Sequence, residues 1–140
     1  MLQTRINKLR KILIEKNLGG FLVSNFFNIL YLTGFKTLTD NEREAWTLVT
    51  AKSTYLFTDS RYLNDKIQMT NDKSITNNKF LNLKLITPEK GLIKHLIEIV
   101  NEEKIQIMGF EGDDLKVNEL QKMKTFLTNV ELISLEKLII

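Results

Sequence analysis

Two runs rich in β-branched and aromatic residues, Trp46-Thr47-Leu48-Val49-Thr50 and Thr54-Tyr55-Leu56-Phe57-Thr58, are separated only by Ala51-Lys52-Ser53. So short a connector joins two strands as an antiparallel hairpin, because a parallel pair needs a crossover of a dozen or more residues. On both sides of the hairpin, short apolar runs alternate with amphipathic segments. A hairpin set inside strand–helix alternation requires an α/β fold whose sheet is mixed rather than purely parallel.

The remaining elements follow from periodicity and punctuation. Ile6, Leu9, Ile12 and Leu13 share one stripe, with Arg5, Lys8, Arg10 and Lys11 around the rest, the pattern of a surface helix with one face turned inward. Asn17 and the pair Gly19-Gly20 end it. Phe21-Leu22-Val23 reads as a strand covered on both faces, and Ser24 or Asn25 caps one or two helical turns that stop at Gly34. Lys36 to Glu44 is a charged loop. After the hairpin, Asp59 or Ser60 caps a helix over 61–69, an Asn/Lys-rich loop covers 70–79, and Leu81 to Leu85 alternates with the period of a strand. Thr87-Pro88-Glu89 predicts a helix start, with Pro at the first helical position and an acid near the positive end of the dipole. A strand over 105–110, a helix over 117–127 and a strand over 130–133 bring the count to six strands. No repeat or interdomain linker interrupts the 140 residues, so the expectation is one domain, residues 1–140. The apolar end Leu138-Ile139-Ile140 suggests a chain cut from a longer one.

Composition removes several chemistries. With no Cys and a single histidine, His95, the chain cannot build a Cys-ligated zinc site, a cysteine nucleophile or any site needing two imidazoles. Twenty basic residues against 17 acidic give a net charge of +3, well short of the basic stripe of a nucleic-acid binder. There is no signal-peptide pattern, and no run approaches the ~20 apolar residues of a membrane span. The chain therefore reads as cytoplasmic, with neither nucleic acid nor membrane as a partner. No phosphate-binding glycine loop, nucleophile elbow or zinc-protease motif is present. His95 falls inside the helix that follows Pro88, where it reads as a partly buried or solvated helical residue rather than a base. Asp59, Glu111, Asp113 and Asp114 fall near strand ends, where a mixed α/β sheet can gather a nuclease-type carboxylate metal site. Capping of the helices at Arg61 and Val117 accounts for Asp59 and Asp114 without any metal.

The most informative segments are Asn28-Ile29-Leu30-Tyr31-Leu32-Thr33-Gly34-Phe35 and Leu56-Phe57-Thr58-Asp59-Ser60-Arg61-Tyr62. Together with Arg5, Leu9-Arg10, the Phe-Leu-Val-Ser strand, Leu48-Val49-Thr50 and the closing Val-Glu-Leu-Ile, they resemble the N-terminal domain of the Xaa-Pro aminopeptidase and prolidase family, the creatinase-like metallopeptidases. The resemblance implies a three-layer α/β/α domain with a mixed six-stranded sheet, similar to the ribonuclease H-like topology. It also implies that the chemistry lies elsewhere, in a pita-bread catalytic domain beyond Ile140 whose two Asp, one His and two Glu hold a pair of divalent metals (Mn, Co or Zn), so that this domain needs no cofactor of its own.

By the same resemblance the N-terminal domain serves dimerisation and gates access of Xaa-Pro peptides to the active site, with the catalytic domain of the same chain and a second copy as partners. Phe35, Arg43, Trp46, Arg61 and Tyr62 are then the candidate gating residues, and Lys36 to Glu44 is the segment expected to reach across. An internal ion pair at Asp59 is the other reading of Arg61. A stand-alone binding or assembly module of the same fold, without peptidase activity, is the alternative for the whole chain.

Overall fold

The computed structural model describes residues 2–37, 43–59 and 81–139. In chain order its elements are α1 (Leu2–Glu15), β1 (Gly20–Val23), α2 (Phe26–Thr33), β2 (Ala45–Thr50), β3 (Thr54–Asp59), β4 (Asn82–Ile86), α3 (Leu92–Glu103), β5 (Ile107–Glu111), α4 (Val117–Phe126) and β6 (Glu131–Leu135). The strands form one six-stranded sheet in the order β4-β3-β2-β1-β5-β6. Only the pairings of β2, with β1 and β3, are antiparallel. The β1–β5, β3–β4 and β5–β6 pairs are parallel. The mixed sheet required by the short hairpin connector is what the chain forms.

Alternation along each strand feeds two cores. Phe21, Val23 and Val49 pack with Ile6, Leu9 and Leu13 of α1 and Ile29 and Leu32 of α2 on one face. Leu22, Leu48 and Phe57 pack with Leu96 and Ile99 of α3 and Met123 of α4 on the other. The result is three layers, with β1 buried along its whole length.

Two arginines of α1 fasten the layers. Arg10 donates from Nε to the Thr50 carbonyl at 2.6 Å and from Nη2 to Thr54 Oγ1 at 3.0 Å, clamping both ends of the hairpin turn. Burial lowers its pKa from the usual arginine value, against the opposing charge of Glu103. Arg5 donates to the Tyr31 carbonyl at 2.7 Å and lies 4.3 Å above the Tyr31 ring, tying α1 to α2. Asn25 is the cap of α2, its side chain accepting from the N–H groups of Phe27 and Asn28, and Gly34 closes the helix at φ 79°, where a residue with a Cβ would be strained.

Helix α3 begins one turn later than its sequence suggests. Thr87 and Lys90 exchange backbone hydrogen bonds of 3.0 and 3.1 Å, and Thr87 Oγ1 accepts from the Lys90 N–H at 3.0 Å. Pro88 therefore takes the second position of a closed turn, a role its fixed φ suits as well as a helix start. Extended Gly91 then leads into Leu92. His95 is buried, with Nε2 2.8 Å from the Leu85 carbonyl and its ring 5.8 Å from that of Phe57. A carbonyl only accepts, so the proton sits on Nε2, and His95 joins α3 to β4 as a core residue. Strand β6 runs on to Leu135, past the predicted end at Ile133. The helix predicted over 61–69 and the loop over 70–79 lie outside the described residues, as does 38–42 of the loop from Lys36 to Glu44.

Candidate functional site

Parallel pairing sets the C-terminal ends of β1 and β5 side by side, and the chain leaves β1 through Ser24-Asn25. Glu111, the last residue of β5 and 9% exposed, meets this crossing. Its Oε1 accepts the backbone N–H groups of Ser24 and Asn25, both at 2.8 Å, and its Oε2 accepts from Asn28 Nδ2. The carboxylate thus answers free donors at the start of α2, where the helix dipole favours negative charge.

Arg43, just ahead of β2, grips the same crossing from the other side. Its Nη1 donates to the Ser24 carbonyl at 2.8 Å and to Asp114 Oδ2. Its Nη2 donates to the Asp114 carbonyl and Glu119 Oε1, both at 3.0 Å, and its Nε to Glu119 Oε2 at 3.1 Å. All five guanidinium N–H groups are committed. Burial opposes the charge, yet the hydrogen bond to Glu119 and the charges of Asp114 and Glu119 hold the Arg43 pKa above its ordinary value. The guanidinium also lies 5.0 Å from the centre of the Trp46 ring, a cation–π arrangement.

A cleft of about 200 Å³ opens beside this knot, lined by Phe26, Phe27, Phe35, Arg43, Asp114 and Lys116 among others. A second hollow of about 180 Å³ lies across Asn25 and Asp114, which line both, and is walled by Phe21, Asn28, Glu111, Leu135, Leu138 and Ile139. Phe27, 60% exposed, stands in the wall of the cleft.

Of the candidate gating residues, Phe35 and Arg43 line this cleft. Arg43 shapes it through its internal bonds and has no N–H left to offer a peptide. Trp46 is buried beneath Arg43 in the core of α3 and α4, whereas Phe35 belongs to the core of α1 and α2. Arg61 and Tyr62 lie outside the described residues. Sequence reasoning missed Glu119 altogether, saw Ser24 only as a possible helix cap and Glu111 only as a possible metal ligand. What makes Glu111 a partner of Ser24 is the parallel register of Leu22 with Phe110, a non-local adjacency.

Asp114 does not cap α4 as expected. Its Oδ2 accepts from Ser24 Oγ at 2.6 Å and from Arg43, while Glu119 accepts the Lys116 N–H at 2.9 Å at the start of α4. The nuclease-type site fails on distance too. Asp59 ends β3, three strand spacings or roughly 14 Å from β5, whereas two-metal sites hold ions about 4 Å apart. Among the described residues no group of three or more His, Asp or Glu is placed to hold a metal ion. With Glu111 and Asp114 spent on internal donors, these residues do not fit a divalent pair.

Residues 5–140 match the creatinase/prolidase N-terminal domain. Among solved structures, the chain is similar to an Xaa-Pro aminopeptidase from Streptococcus pyogenes at 25% identity and TM-score 0.78, covering 99% of this chain and 94% of that one. It shares its fold with the N-terminal domain of the cytoplasmic peptidase PepQ from Mycobacterium tuberculosis H37Rv, at 23% identity and TM-score 0.74 over 97% and 95% of the two chains. An Xaa-Pro dipeptidase from Bacillus anthracis gives 21% identity and TM-score 0.74, where the match covers 99% of this chain and 34% of that one. A comparison with curated proteins found no match. The family match spans residues 5–140, nearly the whole chain, and the chain belongs to the creatinase/prolidase N-terminal domain family.

Proposed function

We propose that the chain is the non-catalytic N-terminal domain of an Xaa-Pro aminopeptidase or dipeptidase, serving dimerisation and control of access to a catalytic domain that carries the divalent metal pair. The match over residues 5–140 carries this reading. The cleft supports the access role, because Phe35 stands in its wall and Arg43 fixes the root of the segment from Lys36 to Glu44 against α4. Trp46 acts beneath Arg43 as its support, and Arg61 and Tyr62 complete the proposed gate. The setting is the cytoplasm, as for the similar PepQ domain, and no helix among the described residues is long and apolar enough to cross a membrane.

Residues 1–140 should release no proline from Ala-Pro or longer Xaa-Pro peptides when supplied with Mn. Turnover that rises with the concentration of this chain overturns the reading. The source gene, read beyond codon 140, should encode an Asp, Asp, His, Glu, Glu set.

A further inference from the structure

We propose that the cleft lined by Phe26, Phe27, Phe35, Asp114 and Lys116 binds the carboxyl end of a peptide that closes on an apolar residue. This goes beyond the proposed function and needs no catalytic domain. It stands on which polar groups in the cleft are already spent.

Ser24 commits its N–H, carbonyl and hydroxyl inside the chain, and Arg43 commits all five donors. Of the acids in the wall, Asp114 accepts from Arg43 and Ser24 through Oδ2, and buried Glu44 has a partner of its own. Lys116 differs. Its backbone N–H is anchored on Glu119 Oε1 at 2.9 Å, whereas its ammonium has neither a hydrogen bond nor an ion pair among the described residues. Asp114 Oδ1 likewise has no donor among them. The cleft thus offers one unspent cation and one unspent acceptor, at positions 116 and 114. A peptide end supplies the complements of both, a carboxylate and the N–H of the same residue.

The rest of the wall suits the last side chain. Phe26 and Phe27 stand edge to face with ring centres 4.9 Å apart, and they line the cleft together with buried Ile29 and Phe35. Aromatic walls of this kind take an apolar side chain. At about 200 Å³ the cleft falls below the ~300–1,000 Å³ of drug-sized ligand pockets, a size for the end of a chain rather than a cofactor. The second hollow lacks these properties. Its charged lining sets Glu111, Asp113 and Asp114 against Lys137 alone, an acidic balance that disfavours a carboxylate.

The test follows amide proton–nitrogen NMR spectra of isotope-labelled residues 1–140 during titration with three ligands: acetyl-Ala-Leu with a free carboxylate, its C-terminal amide, and isocaproate, which keeps the apolar tail and the carboxylate but lacks the peptide N–H. The expected result for acetyl-Ala-Leu is a saturable shift of the amides around the cleft, with a Kd of about 1 mM or tighter. Binding should weaken about fivefold or more for the amide, for isocaproate, and for Lys116→Ala and Phe27→Ala with the free peptide. Lys122→Ala, exposed on α4 outside the cleft, should leave it unchanged.

Shifts that do not saturate overturn the site. Equal binding of the amide removes the carboxylate, and equal binding of isocaproate removes the peptide; either overturns the proposal. Weakening in Lys122→Ala equal to that in Lys116→Ala reduces the effect to surface charge and overturns it as well. The amide and isocaproate titrations use the native chain, so the outcome does not hang on the folding of a variant. Failure here leaves the proposed function intact, whereas a source gene that ends at codon 140 removes the proposed function and leaves this site in place.

Discussion

Ser24 is held at three atoms by three different residues, its N–H by Glu111, its carbonyl by Arg43 and its hydroxyl by Asp114. Removing the Glu111 carboxylate orphans the buried Ser24 N–H, the half-buried Asn25 N–H and the Asn28 amide. A hydrogen bond to a charged group contributes ~1.5–3 kcal/mol, so Glu111→Ala is expected to lower stability by about 3 kcal/mol in urea unfolding. A loss below about 1 kcal/mol would show that water replaces the carboxylate without cost. Tyr55 offers a second test at this scale. Its hydroxyl donates to Glu103, and burial first, then that hydrogen bond and the Glu103 charge, push its pKa up to about 12. The folded value lies above the unfolded value of ~10. The stabilisation from Tyr55 is therefore complete below pH 10 and disappears as pH climbs through 12. The stability difference between the native chain and Tyr55→Phe should hold up to about pH 10 and then shrink as pH rises towards the folded value. A difference independent of pH would mean the hydroxyl does not titrate as described.

Among the elements, β5 is closely packed at Gly109. A Cβ at Gly109 would stand 2.9 Å from both Phe21 Cδ1 and Leu135 Cδ1, within the core of α1 and α2. Overpacking of this kind costs ~1–3 kcal/mol, so Gly109→Ala should lower the urea midpoint, and an unchanged midpoint would mean that Phe21 or Leu135 shifts freely. Gly109 is also an example of what the sequence conceals, since nothing local distinguishes it from a flexible glycine. The elements themselves were legible wherever one local pattern admitted one reading: the stripe of α1, the hairpin around Ala51–Ser53, the cap and glycine stop of α2. Helix α3 was misplaced by a turn because Thr-Pro-Glu suits a helix start and a β-turn alike, and the choice falls to the Thr87–Lys90 bonds and extended Gly91. Arg43 looked like a free charge because its partners Asp114 and Glu119 lie 71 and 76 residues away in sequence. The site was thus only half visible: its apolar wall at Phe35 follows from a local motif, whereas its polar knot depends on strand pairing.

At the scale of the whole molecule, two cores share one sheet, and neither persists without it. The lone tryptophan, Trp46, lies in the core of α3 and α4, while Ile6 is fully buried in the core of α1 and α2. Ile6→Ala should cost ~2–5 kcal/mol, and Trp46 fluorescence on the far side of the sheet should report the full loss, coincident with the far-ultraviolet circular dichroism transition. Separated transitions would show that the layers unfold independently. The placement of β1 at the centre of the sheet has a further consequence during synthesis. Its partner β2 follows within one helix, but its other partner is reached only when Gly20 can pair with Met108, a closure whose entropic cost and slowness grow with the intervening chain. Until the ribosome has released β5, the apolar run Gly20-Phe21-Leu22-Val23 carries an open hydrogen-bonding edge, and the nascent chain is most exposed to mispairing at the strand that ends up best protected.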